Sequence, residues 1–435
     1  MRADSPGHDD QARRSRGDAA ARRERRRRQV RRRRLVLLVV LLAIGGSVAW
    51  AVTPRTQSGA SLSAEATAAV PSTTTAVGEQ SDPPSNGPTA WTARPATVKA
   101  RRSDTARLAL KGVITGGISP KSVASSGAGF VTAQNMMYSH TVTVYNAKTL
   151  KLVKAISDQV NLARLGYPQY PGLVRGAPVE AAFSPGGRYA YVSNYAMYGP
   201  KFGPEGQDTC SAGDGTERSF VYRIDMKWLK VDKAFRVGAV PKVVAVTPND
   251  QYVLVANWCS WTMSVISVKQ GRVLRNVPIG RYPRGIAVSP SGKVAYVAVM
   301  GGSELVRVDL HTWKTKRMEV GAGPRALVFA PSGKSIFVSL NAAGRVAKFD
   351  TKSHTVRYSL NTGSQPRSLA LSSDGTALYV VNYESGTVTK LRARDMQPLQ
   401  TIQACEHPIG ITYEPTTKRV WVACYGGSIR VYDDR

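Results

Sequence analysis

Five basic residues, Lys121, Lys242, Arg284, Arg325 and Arg367, each stand directly after a proline, and those prolines recur along the chain. Cations gathered in a concave, poorly solvated place focus potential and attract anions. Arginine adds a planar fork that matches carboxylate or phosphate. A second set, Tyr195, Trp258, Tyr383 and Tyr425, with Trp261 nearby, falls at another repeating position. Aromatic faces beside cations suit sugar rings, peptide aromatics or nucleobases. Both sets also have a plainer use: the arginines could brace neighbouring units through backbone carbonyls, and the rings could cap the ends of those units.

Catalytic groups are sparse. Of five histidines, His8 lies in a charged leader, and His311 and His354 fall in turns at the opposite end of their repeats from the proline-linked cations. His140 and His407 remain, with Glu180 and Glu406 as the nearest acids. Together His140, His407 and Glu180 form the candidate set for a lactonase-like hydrolase or a lyase, but adjacent cations would repel the divalent metal such chemistry often uses. The chain has no suitably placed Cys-x-x-Cys-His, Gly-x-Ser-x-Gly or Walker loop, so no cofactor and no metal are expected. Binding is the first reading and catalysis the alternative.

The elements that must position these residues follow from the period. Pro241, Pro283, Pro324, Pro366 and Pro408 stand about 42 residues apart, and each opens four short β-branched or aromatic runs separated by turn residues. Earlier copies begin at Pro178, displaced by an insertion over 195–218, and at Pro120, giving seven. Such a unit cannot bury both faces alone, so the units should stack as an all-β, seven-bladed β-propeller. The last copy ends after its third run, and the run 108–114 lies where a fourth strand belongs. The N-terminal strand is therefore expected to complete blade seven and remove an open sheet edge.

The script within each copy, such as Arg284-Gly285-Ile286-Ala287-Val288-Ser289-Pro290-Ser291-Gly292-Lys293, with Tyr191-Val192-Ser193-Asn194 and Tyr379-Val380-Val381-Asn382 elsewhere, resembles the YVTN-type propeller repeat. The resemblance spans 107–435. It implies a propeller and leaves function open, because propellers host binding proteins and unrelated enzymes alike.

The front of the chain differs. Residues 1–34 are dense in arginine and almost free of apolar side chains, and should be disordered and cytoplasmic. Residues 35–52 carry no charge and would span about 27 Å as a helix, close to one hydrocarbon core. With arginines abutting its N-terminal side, the positive-inside rule makes it a signal anchor of a single-pass cell-membrane protein whose remainder is extracytoplasmic. A signal cleaved near Ala49-Trp50-Ala51 is the competing reading. Residues 53–105, rich in Ala, Thr, Ser and Pro, read as a flexible linker reaching on the order of 40 Å, and 106–435 as the propeller.

That address bears on the four cysteines, all within the propeller. An even number in an oxidising compartment favours disulfides, with unpaired buried thiols as the alternative. Repeat alignment puts Cys405 and Cys424 at one edge of blade seven, and Cys210 and Cys259 as neighbours in blades two and three. The expected pairs are Cys210 with Cys259 and Cys405 with Cys424.

The chain holds 60 Lys and Arg against 29 Asp and Glu, a formal charge of +31. The expected partner is therefore anionic: an envelope polymer, an acidic protein segment or a small anion. Lys121, Lys242, Arg284, Arg325 and Arg367 would supply charge, and Tyr195, Trp258, Tyr383 and Tyr425 shape. Nucleic acid is electrostatically permitted but disfavoured by an extracytoplasmic address. The propeller is expected to be a monomer.

Overall fold

The computed structural model describes residues 101–435, so the arginine-rich leader, the apolar run and nearly all of the linker lie outside the described residues. Among the described residues no helix is long and apolar enough to cross a membrane. They form seven four-stranded antiparallel sheets. Six are consecutive in the chain. Blade one, for example, takes Ser122–Ser125, Phe130–Asn135, Thr141–Asn146 and Leu152–Ser157, and blade four takes Pro283–Val288, Val294–Val299, Glu304–Asp309 and Thr315–Glu319.

Burial follows position in the blade. Second strands such as Tyr252–Asn257 are buried on both faces, while outer strands such as Thr315–Glu319 are largely exposed. Core clusters straddle neighbouring blades: Leu254, Met263 and Val265 of blade three pack with Ile286, Val297 and Val306 of blade four. One blade thus buries its apolar faces only by stacking on the next, which is why the repeat must close into a ring.

The recurring asparagine and glycine have a shared physical cause. Asn257 ends blade three's second strand, and its Nδ2 donates to Thr262 Oγ1 at 3.1 Å and Ser264 Oγ at 2.9 Å while Oδ1 accepts from the Gly238 amide at 3.1 Å. A Cβ on Gly238 would lie 2.6 Å from the Asn257 side chain, so only glycine fits there. In blade six Asn382 likewise donates to Thr387 and Thr389 and leaves no room for a Cβ on Gly363, while its Oδ1 accepts from Thr362 Oγ1 at 2.8 Å.

Blade seven closes the ring. Leu108–Ile114 pairs antiparallel with Ser428–Asp434, beyond Arg419–Cys424 and Pro408–Glu414. Its lock is a buried charge pair. Lys390 of blade six, with its side chain fully enclosed, meets the equally enclosed Asp434 carboxylate and donates to the Ala106 carbonyl at 2.8 Å. Tyr379 donates its hydroxyl to the other Asp434 oxygen at 2.5 Å.

Two excursions leave the regular pattern at blade two. One is the insertion between Tyr189–Asn194 and Arg218–Asp225. The other, unexpected from the repeat, runs from Asp158 to Ala177 and contains a short 3-10 turn and the hairpin Gln159–Val160 with Val174–Arg175. They pack together, with Tyr170 stacked on Phe202 at 4.4 Å and both edge-on to Phe220.

Candidate functional site at the channel mouth

In blades three to seven the opening proline starts the inner strand, and the chain reaches it through a left-handed residue: Val240, Tyr282, Gly323, Gln365 and His407 all have φ between 51° and 65°. Directly after the proline the register slips against the second strand, as between Pro241 and Val244 or Pro366 and Leu369. A bulge of this kind re-aims the side chain it carries. Lys242, Arg284, Arg325 and Arg367 sit in these bulges.

The cations meet in one place. Glu180, Arg284, Arg325 and Arg367 line a cavity of about 300 Å³, whose deeper walls include Phe183, Ile286 and Leu327. Arg284, Arg325 and Arg367 all act on Lys121, holding its amine, with burial as the larger cause, down to about 7. Lys242 is likewise held at about 7, first by burial and then by Arg284, against the opposing pull of Asp208. Burial also lowers the three guanidinium groups, Arg325 most strongly because Arg284 and Arg367 add repulsion.

Two carboxylates reach these five cations by hydrogen bond or ion pair. Arg284 extends to Glu180 Oε1 at 3.4 Å, a contact between blades four and two. Burial raises the Glu180 carboxyl, and Arg284 opposes that shift. Lys242 Nζ lies 3.3 Å from Asp208 Oδ1. Arg325, only 9% exposed, donates to nothing better than the Met300 sulfur at 3.8 Å. Arg367 donates to Gln365 Oε1 at 3.3 Å, and its Nε is buried without a partner. None of the three arginines braces a backbone carbonyl among the hydrogen bonds of the described residues, so the bracing alternative does not describe them.

The aromatic set divides. Tyr383 supports Arg367, whose guanidinium carbon lies 3.3 Å from the ring centre, and Tyr425, 38% exposed, lies 5.2 Å from the Lys121 amine. These two rings hold cations in place by their quadrupoles. Tyr195 and Trp258 flank Lys242 at 4.3 and 5.1 Å, but their polar ends are already used. Tyr195 donates to the Gly206 carbonyl at 3.0 Å and Trp258 Nε1 to the Asp208 carbonyl at 3.2 Å. Two of the four rings therefore hold the chain's own insertion.

The residues of the alternative catalytic set each have partners of their own. His140 Nδ1 is 3.0 Å from the Asp158 carboxylate, beside Tyr198. His407 stacks on Tyr383 at 4.5 Å and lies 3.7 Å from both Glu384 and Glu406. Glu180 is engaged by Arg284. The three groups have separate partners: His140 lies in the turn between the second and third strands of blade one, His407 between the last strand of blade six and the first of blade seven, and Glu180 on an inner strand of blade two that lines the cavity. Among the described residues no group of three or more His, Cys, Asp or Glu is placed to hold a metal ion.

Both disulfides form as the repeat alignment indicates, Cys210 with Cys259 at a Cα separation of 5.4 Å and Cys405 with Cys424 at 6.1 Å. Sequence reasoning missed Asp208, an acid in a glycine-rich loop with no periodic signal. It also missed Asp158, which burial raises to about 6 despite His140.

Fold and site together define a seven-bladed β-propeller with a cationic channel mouth. Among solved structures the chain resembles Kuenenia stuttgartiensis hydrazine synthase, at 18% identity and a TM-score of 0.57, over 73% of this chain and 96% of that one. That likeness shows the propeller fold. No family model matches the sequence, and no curated protein matches it either.

Proposed function

We propose that the propeller is a binding module that takes an anionic ligand at the channel mouth. The observation that carries this reading is the pair Arg325, an enclosed guanidinium group, and Arg367, a half-buried one, neither with a carboxylate partner, beside a cavity. Burying an unmatched charge costs several kcal/mol in general, and a ligand anion would offset that cost. Lys121 adds a third unpaired cation to the same opening. The lactonase-like alternative is the weaker reading, since His140 is engaged by Asp158 and Glu180 by Arg284.

The YVTN-type assignment rests on the repeat residues themselves. Presentation outside the cell on a single membrane anchor rests on the arginine-flanked apolar run, and two disulfides in one domain fit an oxidising compartment. Titration of residues 101–435 with inorganic pyrophosphate at low salt tests the binding reading. Affinity that falls steeply with salt, and about a hundredfold in Arg325→Ala/Arg367→Ala, supports it. Binding indifferent to that double change, or no binding by the unaltered domain, ends it.

A further inference from the structure

The insertion of blade two enters the mouth. Gly206 and Asp208 offer their carbonyls to Tyr195 and Trp258, and the Asp208 side chain reaches Lys242. The seat is close-fitting. A Cβ on Gly206 would lie 2.6 Å from Thr216, 2.7 Å from Val240 and 2.9 Å from the Cys259 sulfur. Yet the Asp208 side chain is 80% exposed while that of Lys242 is 9% exposed, so the acid caps the buried amine from the solvent side. Two residues further on, Cys210 is bonded to Cys259, the neighbour of Trp258.

We infer that Gly206–Asp208 is a built-in occupant of this half of the mouth, standing where an acidic peptide segment of a partner protein docks, and that such a partner must displace Asp208 to reach Lys242. The inference rests on the anion-binding reading and names its partner. The contacts themselves show the chemistry the seat accepts: a carboxylate on an ammonium held between two aromatic faces, with main-chain carbonyls fixed by an indole N–H and a phenol O–H. A phosphate or sugar would leave those two donors without the extended backbone they hold here. The disulfide keeps the strap at high effective concentration, so an outside segment competes at a disadvantage set by residues 208 and 210.

Calorimetry tests this with a synthetic peptide of residues 203–211 carrying Ser in place of Cys210. The peptide is expected to bind Asp208→Asn and Cys210→Ser/Cys259→Ser at least about tenfold more tightly than the unaltered domain, the scale of one interfacial charge pair. An Asp208→Asn version of the peptide should lose that gain. Asp214→Asn, which removes an exposed acid of the same insertion that is held by Ser211, should bind like the unaltered domain. If the double cysteine variant does not fold, Asp208→Asn, with its disulfide intact, decides alone. Equal gains from Asp214→Asn and Asp208→Asn, or no gain from either, overturn the strap. Pyrophosphate binding that persists in the unaltered domain in that case leaves the anion reading standing, whereas its absence takes that reading down separately.

Discussion

Two of the places where the propeller encloses charge are treated differently. At the closure of blade seven, Lys390 and Asp434 are both fully enclosed, matched one to one, and their remaining hydrogen-bonding capacity goes to Ala106 and Tyr379. At the channel mouth, Lys121, Lys242, Arg284, Arg325 and Arg367 share Glu180 and Asp208. Matched, satisfied charge in a core is architecture, because removing one partner strands the other. Surplus charge beside a cavity is unfinished chemistry that something from outside completes. The contrast makes a sharp demand: perturbing the closure should change stability without changing affinity, and perturbing the mouth should do the reverse.

The largest effect should come from the closure. Lys390→Met leaves Asp434 buried and unpaired and is expected to cost about 3–5 kcal/mol, read from urea midpoints, with pyrophosphate affinity in the folded domain unchanged. An affinity loss in that variant would dissolve the division between the two regions. Next, Arg325→Ala/Arg367→Ala should lower pyrophosphate affinity about a hundredfold, on the scale of two lost charge contacts, while the urea midpoint stays or rises because an uncompensated buried charge has gone. A large stability loss there would make these arginines structural.

Acidity separates the two regions further. Lys121 and Lys242 titrate near 7 in the fold and near 10.5 when unfolded. The unfolded chain therefore holds more protons between those values, and stability should rise with pH across that window. Anion binding should run the opposite way, fully present below about pH 7 and weakening above it as the amines discharge. Saturating pyrophosphate should flatten the stability rise, and Lys121→Met/Lys242→Met should abolish it. The smallest effect belongs to Tyr383→Leu. Losing the ring under Arg367 should weaken pyrophosphate binding only about threefold, near the lower end of exposed cation–π energies.

Much of the architecture was legible because it repeats. The spacing from Pro241 to Pro408 announces the blades, and a final copy lacking its fourth strand announces that 108–114 must supply it. Repeat alignment also brings Cys210 to Cys259 and Cys405 to Cys424. The mouth cations were readable for the same reason, since one position per copy carries them. What could not be read lies in contacts made once. Lys390 sits in Thr387–Arg392 as an ordinary strand lysine, and only ring closure brings Asp434 to it. Asp208 lies in an aperiodic loop whose course the disulfide decides. The hairpin Gln159–Val160 with Val174–Arg175 breaks the period, and His140, read as a catalytic candidate, is drawn to Asp158 by that excursion.

The bulge after the opening proline of blades three to six has a consequence for how such a ring can change over generations. Its side chain belongs to the aperture and contributes little to the ladder beneath, so these copies have one position that can be rewritten with little effect on the scaffold, whereas Ile409 at the same point of blade seven is part of the core. Read around the opening, Lys242, Arg284, Arg325 and Arg367 spell a four-letter word. Swapping letters singly would walk the portal from cation-rich to neutral to acid-rich, with Glu180, beside Val179, already marking where the spelling has begun to turn.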